Sequence, residues 1–448
     1  MSRLVSSLLC GLGAVAWCSP ATADWTAVHR DGSGNAAVPV ASLVTDVSVA
    51  PAWSTGAGSL NTGARALDFE GRVYAVEFAS GPAAIRIKGF NRQTGVLEWT
   101  SADLDVGDSI AFGSLSAPVI DPATRALFHG SGSSMHRLDL DAATPAASLV
   151  WSTAISASNT DANGETQIIN SSAALGAGNV YVKTFKGFLS PKSSQVVAFD
   201  AGTGAVAWHA MPAGPGQATP LFVDLGASKL VLVDAADGSG NGGLVAYDAL
   251  TGAEVWNHAT LTTPWNTGGR QFYGDLALHG GSVYAFTYDF SASGNLVIVD
   301  PATGAAAIHA SLGTDCAPVI VGSTVYGIGG AYGDADIRAY NAATGAQLFS
   351  ADLFGGLQYI FRNYLAATND SLYVATDNGF GFAPNTFLLR LDPSTGATLS
   401  ASVAVSNYTG AVTVGDDGAV FAFRQDGSLN ALGITGASSV SDWGVLGW

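Results

Sequence analysis

The stretch Val196–Ala210, VVAFDAGTGAVAWHA, and its near copy Leu244–Ala259, LVAYDALTGAEVWNHA, decide the fold. Each consists of an apolar run, a turn written Asp-x-x-Thr-Gly, and a second run that closes on Trp. The glycine can take a positive φ without steric cost, and the aspartate can hydrogen-bond the backbone of its own turn. The flanking Val, Phe, Tyr and Trp favour extended chain, so both stretches are predicted to be β-hairpins.

Outward from this pair, the same pattern recurs. Arg72–Val76 precedes the hairpin Lys88–Trp99, which turns at Gly95, and Ala117–Ile120 precedes Leu138–Pro145 and Trp151, where Pro145 replaces the glycine. Val180–Val182 leads into the opening hairpin, and Lys229–Val233 leads into Gly252 and Trp256. In the later copies Ile308, then Phe349, stands where the Trp is expected. The turn markers at 95, 145, 204, 252, 304, 345 and 396 are 41 to 59 residues apart, with about four short strands and no amphipathic helix in each repeat. That is propeller spacing.

One four-stranded unit cannot bury both of its faces, so neighbours must stack and the ring must close. The last repeat offers Ala419–Phe423 and a shortened turn at Gln425–Leu429 but lacks its final strand, while Pro51–Ser54 reads as a final strand without partners. Pairing the two completes an eighth blade and removes a sheet edge. The expected fold is therefore all-β, a single propeller of four-stranded blades. Eight is the count that uses the N-terminal strand, and seven is the other count that the spacing allows.

Composition agrees with many short strands and tight turns. Of 448 residues, 12% are charged and 56 are Gly, about twice the usual share of roughly 7%. The formal net charge of −17 and the lack of any Lys/Arg run exclude a phosphate-tracking surface, so no nucleic-acid partner is expected. Residues 1–23 read as a signal peptide: Arg3 begins it, Leu4–Cys18 is apolar, and Ala21-Thr22-Ala23 is a cleavage signal before Asp24. Neither Cys10 nor Cys18 stands where a lipid anchor needs it. The expected organisation is a leader at 1–23, an N-terminal segment at 24–63 with the ring-closing strand near 51–54, and propeller repeats over 64–448. The mature chain is expected to be periplasmic or secreted, monomeric, and without a membrane span, since no later run approaches the ~20 apolar residues required. Its single cysteine, Cys316, cannot form an internal disulfide.

Ala198-x-Asp200-x-x-Thr203-Gly204-x-x-x-Trp208 and its copy Ala246-x-Asp248-x-x-Thr251-Gly252-x-x-x-Trp256 resemble the tryptophan-docking motif of the PQQ-like (quinoprotein alcohol dehydrogenase-like) β-propellers. Asp24-Trp25, Arg30-Asp31 and Asn35 resemble the opening that those proteins often carry. The resemblance implies that Trp99, Trp151, Trp208 and Trp256 pack between adjacent blades. It also implies one of two functions. One branch of the family consists of cofactor-free scaffolds such as the BamB component of outer-membrane assembly, and the other of dehydrogenases that bind pyrroloquinoline quinone (PQQ) with calcium or a lanthanide. The single mature cysteine excludes the adjacent-cysteine disulfide that many of the dehydrogenases carry, and no C-x-x-C-H haem site is present. The expected function is a non-enzymatic scaffold that binds an envelope or extracellular protein, with no cofactor. The alternative is a PQQ- and calcium-dependent alcohol or sugar dehydrogenase with a reduced cap.

Candidate ligand-binding residues are the polar side chains near the starts of the innermost strands, at one channel mouth: Arg65, Asn170, Arg270, Tyr273, Asp275, Arg362 and Asn363. Arginines aimed into one funnel can hold a carboxylate by forked hydrogen bonds. The structural alternative is that they pair with acidic side chains or strand carbonyls. No catalytic residue is assigned: Cys316 has no positioned histidine in its sequence neighbourhood, and His209, His258 and His309 recur with the repeat. Asp234–Asn241 and Asp161–Glu165 have oxygen-rich spacing without the full calcium-loop pattern, which leaves the metal undecided.

Overall fold

The computed structural model describes residues 27, 34–56, 58–61, 63–79, 84–104, 116–155, 168–169, 171–185, 194–212, 218–236, 242–258, 274–287, 293–314, 316–329, 336–353, 365–375, 387–402 and 407–434. The first stretch quoted above is a hairpin: Val196–Asp200 pairs antiparallel with Val206–Ala210, and Ala198 lies opposite Trp208. Asp200 Oδ1 accepts from the Thr203 amide at 2.7 Å and from its hydroxyl at 2.8 Å, and Gly204 takes φ +75°. Asp248, Thr251 and Gly252 repeat the arrangement, with Gly252 at φ +71°.

Eight sheets of this kind form the protein. Blade one runs Leu67–Phe69, Arg72–Ala79, Ala84–Asn91 and Leu97–Thr100. Blades two to seven begin with Val119–Asp121, Ala174–Gly176, Leu221–Asp224, Ala277–His279, Val319–Val321 and Ala366–Ala367. They end with Leu149–Ala154, Val206–Ala210, Glu254–Asn257, Ala306–Leu312, Gln347–Asp352 and Thr398–Ala401. The first strands of successive blades touch one another, which places them innermost and the last strands at the rim.

Closure follows the expected route, and the count is eight. Blade eight takes Tyr408–Val414, Val420–Arg424 and Leu429–Leu432 from the end of the chain, and Trp53–Ser54 supplies its outer strand, with Trp53 opposite Ala431. The Trp53 indole donates to Arg92 O at 2.9 Å in blade one. Arg92 itself grips Asp68 at 2.9 Å and Asp417 at 2.5 Å, so one side chain fastens blade one to blade eight.

Between blades, the docking indoles of Trp151, Trp208 and Trp256 lie on the glycine of the next turn. A Cβ added to Gly204 would stand 2.6 Å from Trp151, one on Gly252 2.7 Å from Trp208, and one on Gly304 2.8 Å from Trp256. Phe349 fills the same place over Gly396. Blade five differs from the sequence expectation: His309, not Ile308, covers the glycine of the next turn, Gly345. The other hairpins of this kind carry a one-residue bulge just before the turn, as between Ala246 and Tyr247. Blade five pairs without a shift, Val297 opposite Ile308 and Leu296 opposite His309. Losing the bulge reverses which face each side chain takes, so Ile308 packs back toward blade four and His309 faces blade six. Blade two also departs from a simple turn. Its connection contains the short helix Pro145–Ser148, with Pro at its start and the Thr144 side chain accepting from Ala147 N.

Replacing Gly252 by Ala therefore meets two costs, a left-handed backbone of about 1–2 kcal/mol and an overpacking of about 1–3 kcal/mol against Trp208. Gly71→Ala, at φ +80° with nothing within 4 Å of the new methyl, meets only the first. Urea denaturation is expected to show Gly252→Ala as the less stable variant; equal midpoints would mean that the indole can move aside.

Candidate functional site at the inner ring

Of the candidate ligand-binding residues, the described ones are Arg65 and Asp275. Asn170, Arg270, Tyr273, Arg362 and Asn363 lie outside the described residues. Arg65 sits two residues ahead of the inner strand of blade one and is fully buried. Its Nη2 donates to Leu365 O at 3.2 Å, just ahead of the inner strand of blade seven, so the side chain reaches past blade eight. Asp275, ahead of the inner strand of blade five, is also buried and accepts from the Thr219 amide of blade four. Ser172 of blade three accepts from the Ala117 amide of blade two at 2.9 Å. These groups share one function in the geometry, which is to meet a backbone group of another blade.

One buried ion pair was missed by sequence reasoning. Lys183 and Asp234, in the second strands of blades three and four, form an ion pair at 2.5 Å with side-chain exposures of 0% and 3%. Lys183 Nζ also donates to Asp234 O. Burial is the strongest influence on both groups, drawing the lysine below its ordinary value and the carboxyl above it, while their mutual attraction opposes. Asp275 adds a weaker upward push on Asp234, so charged groups from blades three, four and five stand close together. The signal was a lone lysine within the strand NVYVKTF. The carboxylate of Asp234, read from sequence as a possible cation ligand, is thus held by Lys183.

The N-terminal segment lies against the same inner strands. Asn35 Nδ2 donates to Ile320 O at 2.9 Å and Asn35 Oδ1 accepts from Ile320 N at 2.9 Å, so the side chain answers both backbone groups of one inner-strand residue. Ala37 bridges Ala367 of blade seven, with Val38 N to Ala367 O at 2.8 Å. The chain then leaves between blades seven and eight: Leu43 N donates to Gly418 O, the Tyr373 hydroxyl to Val44 O, and Val47 N to Ser400 Oγ. Ser400 stands opposite Arg390, where the other blades place their docking residue. The N-terminal segment covers the position that lacks an aromatic ring.

Two buried histidines are held neutral. The His258 ring lies tilted against Trp256 with centroids 4.8 Å apart, donates from Nε2 to Gly304 O at 2.6 Å, and accepts at Nδ1 from Leu244 N at 3.3 Å. Burial brings it down to about 4, against the bond to Gly304. His129 is fully buried opposite His136, and among the described residues neither of its ring nitrogens has a hydrogen-bond partner. Burial, helped by His136, lowers it to about 3. Cys316 is buried, 2% exposed.

Two expectations follow from these charges. Lys183→Met strands the Asp234 carboxylate and should cost about 3–5 kcal/mol in urea denaturation, while Lys183→Met with Asp234→Leu should recover most of that loss. A double variant no better than the single one would show that the pair is not desolvated. For His129, an unfolded chain binds a proton below about pH 6.5 and the folded protein does not until about pH 3. Stability should therefore fall from pH 7 to pH 5, this residue contributing up to about 1.4 kcal/mol per pH unit below 6.5. Thermal melts of His129→Phe should show a flatter pH profile than the parent, and an unchanged slope would contradict the assignment.

Comparison with known proteins agrees with the ring. The model of a family described as outer membrane protein assembly factor BamB matches residues 177–402. BamB from Moraxella catarrhalis is 18% identical with a TM-score of 0.58, the match covering 85% of this chain and 96% of that one. The quinohemoprotein alcohol dehydrogenase ADHIIG from Pseudomonas putida HK5 is 14% identical with a TM-score of 0.62, covering 90% and 76%. The quinohemoprotein alcohol dehydrogenase from Comamonas testosteroni is 13% identical with a TM-score of 0.64, covering 91% and 80%. These likenesses show the fold. No curated protein matches the sequence significantly. With its family model spanning half of its length and its docking motif repeated around a closed ring, the chain belongs to the PQQ-like β-propeller family described as outer membrane protein assembly factor BamB.

Proposed function

We propose that the protein is an exported, non-enzymatic scaffold that binds another protein in the cell envelope or outside the cell. The observation that carries this reading is the use made of the inner polar groups. Arg65 meets Leu365 O, Asp275 meets Thr219 N, and Lys183 meets Asp234, each across a blade boundary. Groups turned to backbone and to each other stiffen a ring, and this use supports the scaffold reading. Size favours BamB over the two quinohemoproteins, the match taking in 96% of BamB from Moraxella catarrhalis against 76% and 80% of those enzymes, while a europium-containing methanol dehydrogenase is covered to 89%.

Among the described residues no helix is long and apolar enough to cross a membrane. The leader read at residues 1–23 supports export to the periplasm or beyond, and the strongly acidic composition, net charge −17, suits a soluble partner-binding surface. The second reading, a PQQ- and calcium-dependent dehydrogenase, has the likeness to the quinohemoproteins in its favour. Of the candidate ligand-binding residues, Arg65 and Asp275 are buried and hydrogen-bond to backbone groups of other blades.

Purified protein incubated with PQQ and calcium, then desalted, is expected to retain no quinone absorbance and to reduce no dye when alcohol is added. Cross-linking in producing cells is expected to yield an envelope protein joined to it. Retention of one quinone per chain together with alcohol-dependent turnover would overturn the scaffold reading.

A further inference from the structure

The N-terminal segment goes once around blade eight. Inside the ring, Gly34 lies so close to Leu276 O of blade five that a Cβ would collide, and Asn35 is bonded to Ile320 of blade six. Ala36 O accepts from Ala367 N at 3.0 Å, and Val38 N donates to Ala367 O. Ala366–Ala367 pairs with its own sheet on one side only, so these bonds lie on the edge that faces the channel. The segment then passes the turns that join first and second strands. Asn369 N of blade seven donates to Val40 O at 2.8 Å, Asp370 Oδ1 accepts from Ser42 N at 2.8 Å, and Gly418 O of blade eight accepts from Leu43 N at 3.1 Å.

Next it runs outward between blades seven and eight. Tyr373, Arg390 and Ser400, in the second, third and fourth strands of blade seven, hold it in that order. The Tyr373 hydroxyl meets Ser42 Oγ and donates to Val44 O at 3.1 Å, Arg390 Nη1 donates to Thr45 O at 2.9 Å, and Ser400 Oγ accepts from Val47 N at 3.1 Å. Trp53–Ser54 then follows the outer edge of blade eight. Gly58 N donates to Asp426 O at 3.0 Å, in the turn between the second and third strands of blade eight, at the opposite end of the sheet from Gly418. Asn61 N donates to Val76 O of blade one at 2.7 Å, and the Arg65 side chain returns to Leu365 O, beside the Ala366–Ala367 strand where the circuit began.

We propose that this belt is a kinetic lock: blade eight cannot leave the ring until the belt lets go, so release of the belt sets the lifetime of the closed ring. The belt touches blade eight or its boundaries on the inner side, at both ends and on the outer edge. Its side-chain bonds to blades six and seven span 285 to 353 residues of chain. Contacts of that separation form after the local ones, because the intervening chain must first be ordered. The belt also encloses the last blade of the described chain, so it cannot close before that blade exists. Interactions made after the rate-limiting step of folding are already lost at that step in unfolding, and weakening them speeds unfolding without slowing folding. The lock is a property of the ring and holds under either reading of function.

The test compares two tyrosine hydroxyls that each donate to a backbone carbonyl at 3.1 Å: Tyr373 to Val44 O within the belt, and Tyr284 to Ala342 O across the boundary of blades five and six. Tyr373→Phe should raise the unfolding rate in urea about tenfold and leave the refolding rate within about twofold. Tyr284→Phe should slow refolding and leave unfolding within about twofold. An unfolding rate unchanged in Tyr373→Phe, or raised equally in both variants, would overturn the proposal. Hydrogen exchange in the unsubstituted protein gives a second measurement. The amides of Val38, Leu43, Thr55 and Gly58, all bonded to backbone carbonyls, should exchange together and earlier than those of Lys229–Ala236 in blade four. Exchange of the four one by one, or as late as blade four, would equally overturn it.

Discussion

The ring depends on one contact, an indole laid flat where a side chain is missing. The turn glycine takes a left-handed backbone, which only a residue without Cβ adopts freely, and the absent Cβ is the space that the neighbouring ring enters. A nearby carbonyl then accepts the indole N–H, so that a large apolar surface is buried without stranding its one polar group. Turn chemistry inside one blade and packing between two blades are the same event seen from two sides. This is why the motif must be repeated: one blade supplies the ring and the next supplies the vacancy.

The departures from the motif show what it supplies, because two of the three are met by a substitute. Blade five lost its bulge, the facing of its outer strand reversed, and His309 took the place that spacing assigned to Ile308. Blade seven has Ser400 where a ring is expected, and the N-terminal segment covers the gap with Val44 and Val47. Blade two lengthened its turn, and there the indole stayed in place but lost its acceptor.

The repeat, the eight blades and the closing strand at Trp53 were legible because they are written in local chemistry: apolar runs, Asp-x-x-Thr-Gly turns and an unpartnered terminal strand. What sequence could not give were facts about facing and pairing. Nothing in the letters of GAAAIHA says that the bulge is absent, and a one-residue slip decides whether Ile or His meets the next blade. Lys183 and Asp234 lie 51 residues apart in similar strands, and only the stacking of blades brings their charges together. Of the candidate ligand-binding residues at the inner strands, Arg65 and Asp275 are the described ones. The sequence could not say that each would turn to a neighbouring backbone group, because the acceptors belong to chain as distant as Leu365.

That placement bears on how a ring of near-identical blades keeps its order. Apolar faces alone would let similar blades stack in several ways, since Val, Ala and Leu fit one another with little discrimination. Buried charges and buried hydrogen-bond donors do discriminate, because an unmatched one costs more than a matched one gains. Lys183 pairs with Asp234 of blade four, Arg65 donates to the Leu365 carbonyl beyond blade eight, and Asn35 answers both backbone groups of Ile320. The inner polar groups therefore specify which blade lies where, while the indoles at the rim hold each boundary shut. A ring fixed in this way on its inside is free to vary on its outside, and the boundary of blades one and two is where that variation has left a donor without an acceptor.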